Sequence, residues 1–450
     1  MTKRLLTLAA TCALAACGQS AVLPAPPAFY PALRVAQGAA NGSPIKHVVY
    51  IVQENRSFNN LFEGFPHALT ASYGYDNKGK KIELRPRSLG TQWDVGHSSL
   101  AYFSACDGQG SLKGTDCKMD GWLGEGANIG APKNPEYSYV KPGEIVPYWT
   151  MAKQYVLADH MFASNLDGSF IAHQYVVAAF ASRAVNYPYS SWGCEGGKSD
   201  TIETLTDQRT SGPLVLACFE NPTIASEADA AQLSWRFYTS VLDSPGGLWS
   251  AYQADSQIYY GNDWKTDVIT PQSQFLTDIG KGKLASITWI TPTWAASDHA
   301  GMDATEGPAW VASVVNAVGK SKFWKSTAIF VQWDDWGGMF DPVQPVFEDY
   351  DGLGFRVPLI VISPYAKKGR VTHVQYETAS VLRYIEDNFG LRRLAASDTR
   401  ANDPANDSDV FDYSQLPRKF KEIAGSKPAS YWKRLEQTLP PRTANIIGDD

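Results

Sequence analysis

The chain has 450 residues, of which 44% are hydrophobic and 19% charged, so it can bury a large core and is not an intrinsically disordered protein. One large α/β domain or two smaller domains would fit this length. The net charge of -6 is small and no basic stripe is present. Nucleic acid is therefore not an expected partner, although a local basic pocket could still bind an anion.

The N-terminus has the pattern of an export signal. Lys3 and Arg4 precede an apolar stretch over residues 5–16, which is too short to span a bilayer. It ends in Leu-Ala-Ala-Cys-Gly, which resembles a bacterial lipoprotein signal with Cys17 as the lipidated residue. We predict a signal peptide over residues 1–17, a flexible spacer over 18–44 and one domain over 45–450. The protein is then lipid-anchored in the cell envelope (periplasm or outer membrane), with plain secretion as the alternative.

Four cysteines follow the predicted signal, namely Cys106, Cys117, Cys194 and Cys218. In an oxidising compartment an even set favours disulfides, and the absence of a CxxC spacing argues against structural zinc. Three pairings are possible. We favour Cys106–Cys117 and Cys194–Cys218, because these cysteines are the nearest neighbours in the sequence.

The first predicted strand begins at His47 and is apolar on both faces, as in a strand that is buried on two sides. It ends at Gln53, and Glu54 and Asn55 follow. Ligands of an open α/β sheet bind just beyond the carboxyl ends of its strands. Glu54 and Asn55 would lie there as oxygen ligands for a hard metal ion. The alternative is a strand that ends in an ordinary polar turn.

Further along the chain, Ser169 stands just before or at the start of an apolar, Ala-rich helix predicted over residues 172–181. A hydroxyl at that position lies near free backbone N–H groups and the positive end of the helix dipole, which suits a phosphate group. The alternative is that Ser169 only caps the helix. His173 lies within the apolar start of this helix and is interpreted as a core histidine.

The remaining elements alternate between strands and helices. Strands are predicted over residues 233–242, 284–290, 326–333 and 358–363, and helices over 148–155, 308–318 and 374–389. Loop-rich insertions are predicted over residues 65–147 and 187–222. This alternation indicates an α/β fold with a doubly wound, mostly parallel sheet.

The predicted strand over residues 326–333 ends in Asp334 and Asp335. Strand ends converge at one edge of such a sheet, so this pair should meet Glu54 and Asn55, with Ser169 as a further candidate ligand. Adjacent carboxylates are costly to hold together unless a cation neutralises them. One divalent metal ion is the simplest cation; oxygen ligands favour Ca²⁺, Mg²⁺ or Mn²⁺, and Zn²⁺ also accepts carboxylates. The alternative for the acidic pair is a solvated turn.

A serine bound to a metal ion is a better nucleophile than a free serine. A phosphate ester is the expected substrate, because the metal ion also stabilises negative charge on the phosphoryl group. His97 and His299 follow Gly96 and Asp298 in predicted loops, where functional residues concentrate. Either histidine could donate a hydrogen bond to a phosphoryl oxygen or protonate a leaving group.

These segments together resemble, from about residue 45 to 418, the bacterial phosphoesterase family that contains acid phosphatases and phosphatidylcholine-type phospholipases C. The segments that carry the resemblance are Glu54-Asn55-Arg56-Ser57-Phe58, Asp94-Val95-Gly96-His97, Gly168-Ser169-Phe170-Ile171-Ala172-His173, Asp298-His299 and Asp334-Asp335. The resemblance implies a fold of the alkaline phosphatase superfamily.

The resemblance also implies roles for these residues. Ser169 is the implied nucleophile, and His97 and His299 contact the phosphoryl oxygens. Glu54, Asn55, Asp334 and Asp335 are the implied metal ligands. Trp336 stands where a histidine often follows the acidic pair, which favours a single metal ion.

The implied function is that of an exported, metal-dependent phosphoesterase that forms a phosphoseryl intermediate. The larger phospholipases of the family carry additional C-terminal domains for which this chain is too short, so an acid phosphatase is favoured. The alternatives are a phospholipase C that acts on phosphatidylcholine-type lipids and a lipoprotein binding module that has lost catalysis.

Overall fold

An eight-stranded sheet lies at the centre of the protein. The structure is a computed structural model that describes residues 43–189 and 191–442. The predicted signal peptide, the lipidation site Cys17 and residues 18–42 of the predicted spacer lie outside the described residues and stay predictions. The assignment of residues 45–450 to a single domain also stays a prediction.

The described residues form 17 strands and 12 α-helices. The strands are β1 (His47–Gln53), β2 (Tyr73–Tyr75), β3 (Lys81–Glu83), β4 (Arg85–Arg87), β5 (Ser138–Val140), β6 (Val156–Ala158), β7 (Met161–Phe162), β8 (Ala184–Val185), β9 (Thr201–Thr204), β10 (Val215–Leu216), β11 (Trp235–Tyr238), β12 (Val268–Ile269), β13 (Ile287–Ile290), β14 (Thr327–Trp333), β15 (Leu359–Ile362), β16 (Arg370–Thr372) and β17 (Tyr376–Glu377). The α-helices are α1 (Phe58–Phe62), α2 (Ser99–Cys106), α3 (Val146–Gln154), α4 (Ser169–Ala178), α5 (Ile224–Ala230), α6 (Ser256–Tyr259), α7 (Asp263–Thr266), α8 (Gln274–Gly280), α9 (Gly307–Gly319), α10 (Thr378–Phe389), α11 (Ala396–Arg400) and α12 (Ala429–Glu436).

The central sheet has the strand order β12-β11-β13-β1-β14-β15-β6-β16. Strand β1 pairs in parallel with β13 on one side and with β14 on the other. Every residue of β14, and all of β1 except His47, is buried, which explains why both strands are continuously apolar. The mostly parallel sheet with its helices confirms the predicted α/β fold.

One strand of the sheet runs against the others. Strand β15 is antiparallel to both β14 and β6, whereas β6 and β16 are parallel to each other. The carboxyl ends of β1, β14, β6 and β16 therefore lie at the same edge of the sheet. The sequence predicted the strand β15 but not its direction, because an apolar run has the same pattern in either orientation.

Several boundaries differ from the predicted ones. Strand β6 has three buried residues and was not predicted, since three residues are too few for a periodic signal. Helix α10 begins at Thr378 rather than at residue 374, because residues 376–377 form β17 beside β7. The insertions contain small two- and three-stranded sheets, which the sequence did not reveal.

Both predicted disulfides are present. Cys106, at the end of α2, is bonded to Cys117, and Cys194 is bonded to Cys218. The bridges close short loops of 11 and 24 residues within the two predicted insertions. Within residues 43–189 and 191–442, no helix is both long and apolar enough to cross a membrane.

Asp351 is a buried carboxyl group whose Oδ2 accepts a hydrogen bond from the Tyr175 hydroxyl of α4 at 2.6 Å. Burial is the main cause that raises the pKa of Asp351 to about 7. Asp351 therefore stays protonated in the folded protein up to about pH 7, whereas in the unfolded chain it releases its proton near pH 4, as an ordinary aspartate does.

We expect Asp351→Asn to stabilise the protein above pH 7 and to have little effect near pH 4. The folded wild type binds more protons than the unfolded chain between these values, so its free energy of unfolding falls as the pH rises. Asparagine cannot ionise, so the free energy of unfolding of the variant should exceed that of wild type by roughly 2–4 kcal/mol at pH 8. Urea unfolding of both proteins at pH 4.5 and pH 8 measures it. The same difference at both pH values would contradict the prediction.

Candidate active site

The ends of β1 and β14 are joined by hydrogen bonds that bring their polar residues together. The backbone N–H of Asn55 donates to Asp334 Oδ1 at 3.0 Å, and the N–H of Asp334 donates to the Gln53 carbonyl at 2.9 Å. Asn55 has a φ of 54°, which turns the chain sharply at the strand end. A Cβ on Gly337 would lie 2.0 Å from the Asn55 carbonyl oxygen, so only glycine fits there.

Ser169 is the first residue of α4, and Gly168 rather than Ser169 holds the N-cap position. The Ser169 Oγ lies 3.3 Å from Glu54 Oε2, 3.2 Å from Asn55 Oδ1 and 3.3 Å from Asp335 Oδ2. All of these side chains are buried. The serine hydroxyl is thus surrounded by three oxygen atoms from two different strand ends, which a capping role would not require.

His97 and His299 flank the other side of the Asn55 amide. The Asn55 Nδ2 donates to His97 Nε2 at 2.6 Å and to His299 Nε2 at 3.1 Å. In each imidazole the Nδ1–H donates to a backbone carbonyl, that of Val95 at 2.8 Å and that of Ala300 at 2.5 Å. These two hydrogen bonds place the ring proton on Nδ1, so the unprotonated Nε2 of each ring faces the site.

His173 also belongs to the cluster, which the sequence interpretation did not anticipate. Its Nε2 lies 3.0 Å from Glu54 Oε1 and 3.6 Å from Asp334 Oδ2. A signal for this contact was present in the sequence. His173 follows Ser169 by four residues on one helix, and positions i and i+4 share a face.

The donor set fits a divalent cation. Glu54, Asp334 and Asp335 place three carboxylates in one buried cluster, and Glu54, His173 and Asp334 each offer a ligand atom within 4.8 Å of the others. Asp334 Oδ2 is buried and accepts no hydrogen bond from the described residues. Such an atom is costly in a protein interior unless a cation binds it. The imidazole adds a nitrogen ligand that Zn²⁺ and iron accept more readily than Ca²⁺ does.

Asp298 positions the His299 segment through buried hydrogen bonds. Tyr148 and Trp333 donate hydrogen bonds to Asp298 Oδ2 at 2.7 and 3.1 Å. Burial is the main cause that raises the pKa of Asp298 to about 7. The Arg56 Nε donates to the Asp298 carbonyl at 2.8 Å, which ties this segment to the turn that follows β1.

A mostly parallel α/β sheet with a serine and a carboxylate cluster beyond its strand ends is an arrangement typical of metal-dependent hydrolases. The sequence profile of the phosphoesterase family matches residues 45–392. The chain therefore belongs to the phosphoesterase family, as its sequence predicted, and is a phosphoric ester hydrolase.

Similar proteins include two bacterial phospholipases. Phospholipase C B of Mycobacterium tuberculosis is 21% identical over 475 residues, which cover 88% of this chain and 83% of that protein. The non-hemolytic phospholipase C of Pseudomonas aeruginosa is 25% identical over 411 residues, which cover 77% of this chain and 54% of that protein. Among solved structures, a protein in the alkaline phosphatase superfamily from Vibrio parahaemolyticus has a TM-score of 0.38 and 10% identity, covering 81% of this chain and 72% of that one.

Proposed function

We propose that this protein hydrolyses phosphate esters by covalent catalysis, with Ser169 as the nucleophile and one divalent metal ion held beside it. The observation that carries the proposal is the position of the Ser169 Oγ, 3.2–3.3 Å from oxygens of Glu54, Asn55 and Asp335. With Asp334, these residues are the proposed metal ligands, and His173 is an additional candidate. A bound divalent cation would lower the pKa of the serine hydroxyl and stabilise negative charge on the phosphoryl oxygens.

In the first proposed step, the Ser169 Oγ attacks phosphorus, so that a serine–phosphorus bond forms and the bond from phosphorus to the leaving-group oxygen breaks. His97 and His299 are directed toward the site by their Nε2 atoms, and in the protonated form each would donate a hydrogen bond to a phosphoryl oxygen or a proton to the leaving group. In the second step, water attacks the phosphoserine and releases inorganic phosphate.

Helix α4 supports this chemistry through its geometry. Ser169 is the first residue of a ten-residue helix, so its hydroxyl lies at the positive end of the helix dipole. The negative charge that develops on the phosphoryl group during attack would be stabilised by this dipole and by nearby backbone N–H groups. The carboxylates alone would repel a phosphate ester, so the cation is needed for substrate binding as well as for nucleophile activation.

Export and lipid anchoring through Cys17 are part of the proposal and rest on the N-terminal sequence. The two disulfides support an oxidising location such as the bacterial periplasm or the exterior of the cell.

A phospholipase C activity is the second candidate, favoured by the names of the similar proteins described above. A groove of about 540 Å³ gives it some structural support. Five cationic side chains line this groove: Lys80, Lys81, Arg85, Arg87 and Lys133. Glu83 also lines the groove and pairs with Lys81 at 2.7 Å. Tyr73 and Tyr75 are exposed on the adjacent strand, and cations beside aromatic rings suit the phosphate groups and the interfacial region of a phospholipid bilayer.

The experiment that separates these candidates compares an aryl phosphomonoester with phosphatidylcholine vesicles, before and after chelation and metal add-back. We expect monoester turnover that the chelator abolishes and that one added metal restores, which would also identify the ion. Turnover of the lipid without turnover of the monoester would favour the phospholipase C. No turnover of either substrate with any metal would contradict both candidates and favour a binding module.

A further inference from the structure

A second group of side chains that could ligate a metal lies at the same edge of the central sheet, three strand spacings from the boundary between β1 and β14. It consists of Asp159 and His160, which follow β6, and His373, which follows β16. Strands β6 and β16 are parallel, with Ala158 paired to Thr372, so the residues after these two positions emerge side by side. None of the three residues takes part in the proposed hydrolysis.

The two imidazoles converge on a single carboxylate oxygen. The Nδ1 of His160 lies 2.8 Å from Asp159 Oδ1, and the Nδ1 of His373 lies 2.9 Å from the same oxygen. The three ligand atoms lie within 4.8 Å of one another. Two nitrogens and one carboxylate oxygen at this spacing form the three-ligand set of a tetrahedral zinc site that keeps its fourth position for water.

Surrounding hydrogen bonds hold the Asp159 carboxylate in this orientation. The backbone N–H of Leu69 donates to Asp159 Oδ2 at 2.9 Å, which leaves Oδ1 for the imidazoles. The Arg356 guanidinium donates to the Asp159 carbonyl at 2.5 Å. Burial raises the pKa of Asp159, but hydrogen bonds from His160, Leu69 and His373 outweigh burial and leave the pKa below its usual value. Such outer hydrogen bonds orient the ligands of metal sites.

An ion can reach this group from solvent. The Asp159 side chain is fully buried, whereas the side chains of His160 and His373 are 29% and 60% exposed. A buried carboxylate beneath two accessible imidazoles is a ligand arrangement that a cation can reach from solvent.

We propose that Asp159, His160 and His373 form a second metal site, which binds Zn²⁺ or a similar borderline transition-metal ion. Two imidazole ligands select such ions over Ca²⁺ and Mg²⁺, which prefer oxygen. The bound ion would connect the segment that leads from β6 to Ser169 with the loop that leads from β16 to α10. Its role is therefore structural and independent of the mechanism proposed for Ser169.

The test is a Zn²⁺ titration of the chelator-treated full-length protein and of its His373→Asn variant. The Asn side chain can still donate a hydrogen bond from Nδ2 to Asp159, but it is a poor zinc ligand. Wild type is expected to bind one more equivalent of Zn²⁺ than the variant. In the variant, the affinity of this site for Zn²⁺ should fall further than it does when a metal site loses only an outer-shell partner, which costs roughly 10- to 100-fold.

His67→Asn is the matched control, because His67 is exposed and its φ of 68° suits asparagine. It should bind as much Zn²⁺ as wild type. Glu54→Gln separates the two sites, since it should lose only the equivalent that belongs to the Ser169 cluster. Equal Zn²⁺ binding by wild type and His373→Asn would overturn the proposal and leave Asp159 as a hydrogen-bond acceptor only.

Discussion

The Ser169→Ala protein is expected to lose at least about 10³-fold in kcat on any phosphate ester that the wild type hydrolyses. Removal of the nucleophile eliminates the covalent route, and the remaining metal and histidine groups can support only a slow direct attack by water. The loss should appear in kcat more than in KM, because the hydroxyl reacts but contributes little to substrate binding. Steady-state kinetics with an aryl phosphomonoester measures both constants.

Ser169→Thr is the matched control, because threonine keeps the hydroxyl at the same position. We expect it to retain a substantial part of the activity. When the reaction is quenched rapidly, residue 169 of this variant should carry a phosphoryl group. Ser169→Ala should remain folded, as judged by its thermal unfolding, and should give no phosphorylated protein. A Ser169→Ala protein that is folded and keeps most of its activity would show that the nucleophile is a different group.

The Asp335→Asn substitution should have opposite effects on activity and on the stability of the metal-free protein. Asp335 Oδ2 faces the Ser169 hydroxyl, while its Oδ1 accepts a hydrogen bond from the Gly337 N–H at 2.7 Å. Loss of one of three clustered carboxylates relieves repulsion, so the metal-free variant should be more stable by roughly 1–3 kcal/mol. The variant should also bind the metal more than about 100-fold less tightly and lose activity accordingly.

Thermal unfolding with and without the activating metal measures both consequences. Metal at 100 times the wild-type Kd should stabilise wild type by about 2.7 kcal/mol and Asp335→Asn by no more than about 0.4 kcal/mol at the same concentration. Asp351→Asn is the control, because it also removes a buried carboxylate but lies outside the cluster, and it should keep the full metal response. If the metal stabilised Asp335→Asn as much as wild type, Asp335 would not be a ligand.

The sequence predicted the part of the site that depends on long strands. Strands β1 and β14 are seven residues each and almost wholly buried, so their apolar runs are unambiguous and their ends could be assigned within a residue or two. The parallel arrangement then brings Glu54–Asn55 and Asp334–Asp335 together by geometry alone. Ser169 stands at the start of a helix and not at a strand end, so strand geometry made it only a candidate ligand, and its role as the nucleophile was implied by the resemblance alone.

The parts that could not be predicted depend on tertiary packing. His173 was interpreted as a core residue because its neighbours are apolar, and it is buried as expected, but its ring faces carboxylates instead of aliphatic side chains. Asp159 and His373 are 214 residues apart, and they meet only because the three-residue strands β6 and β16 are neighbours. Strands as short as these give no periodicity from which a pairing could be predicted.

The antiparallel strand β15 determines the separation between the two proposed ions. One proposed ion lies at the boundary between β1 and β14, and the other lies at the boundary between β6 and β16. Strands β14, β15 and β6 separate these two boundaries by three strand spacings. At roughly 4.8 Å per spacing this separation is about 14 Å, far beyond the ~4 Å at which two ions share one substrate oxygen. Two paramagnetic ions at these positions would therefore share no bridging ligand and would show negligible exchange coupling. Each position could also be loaded with a different element, so that a spectroscopic probe can report on the structural ion while the other supports turnover.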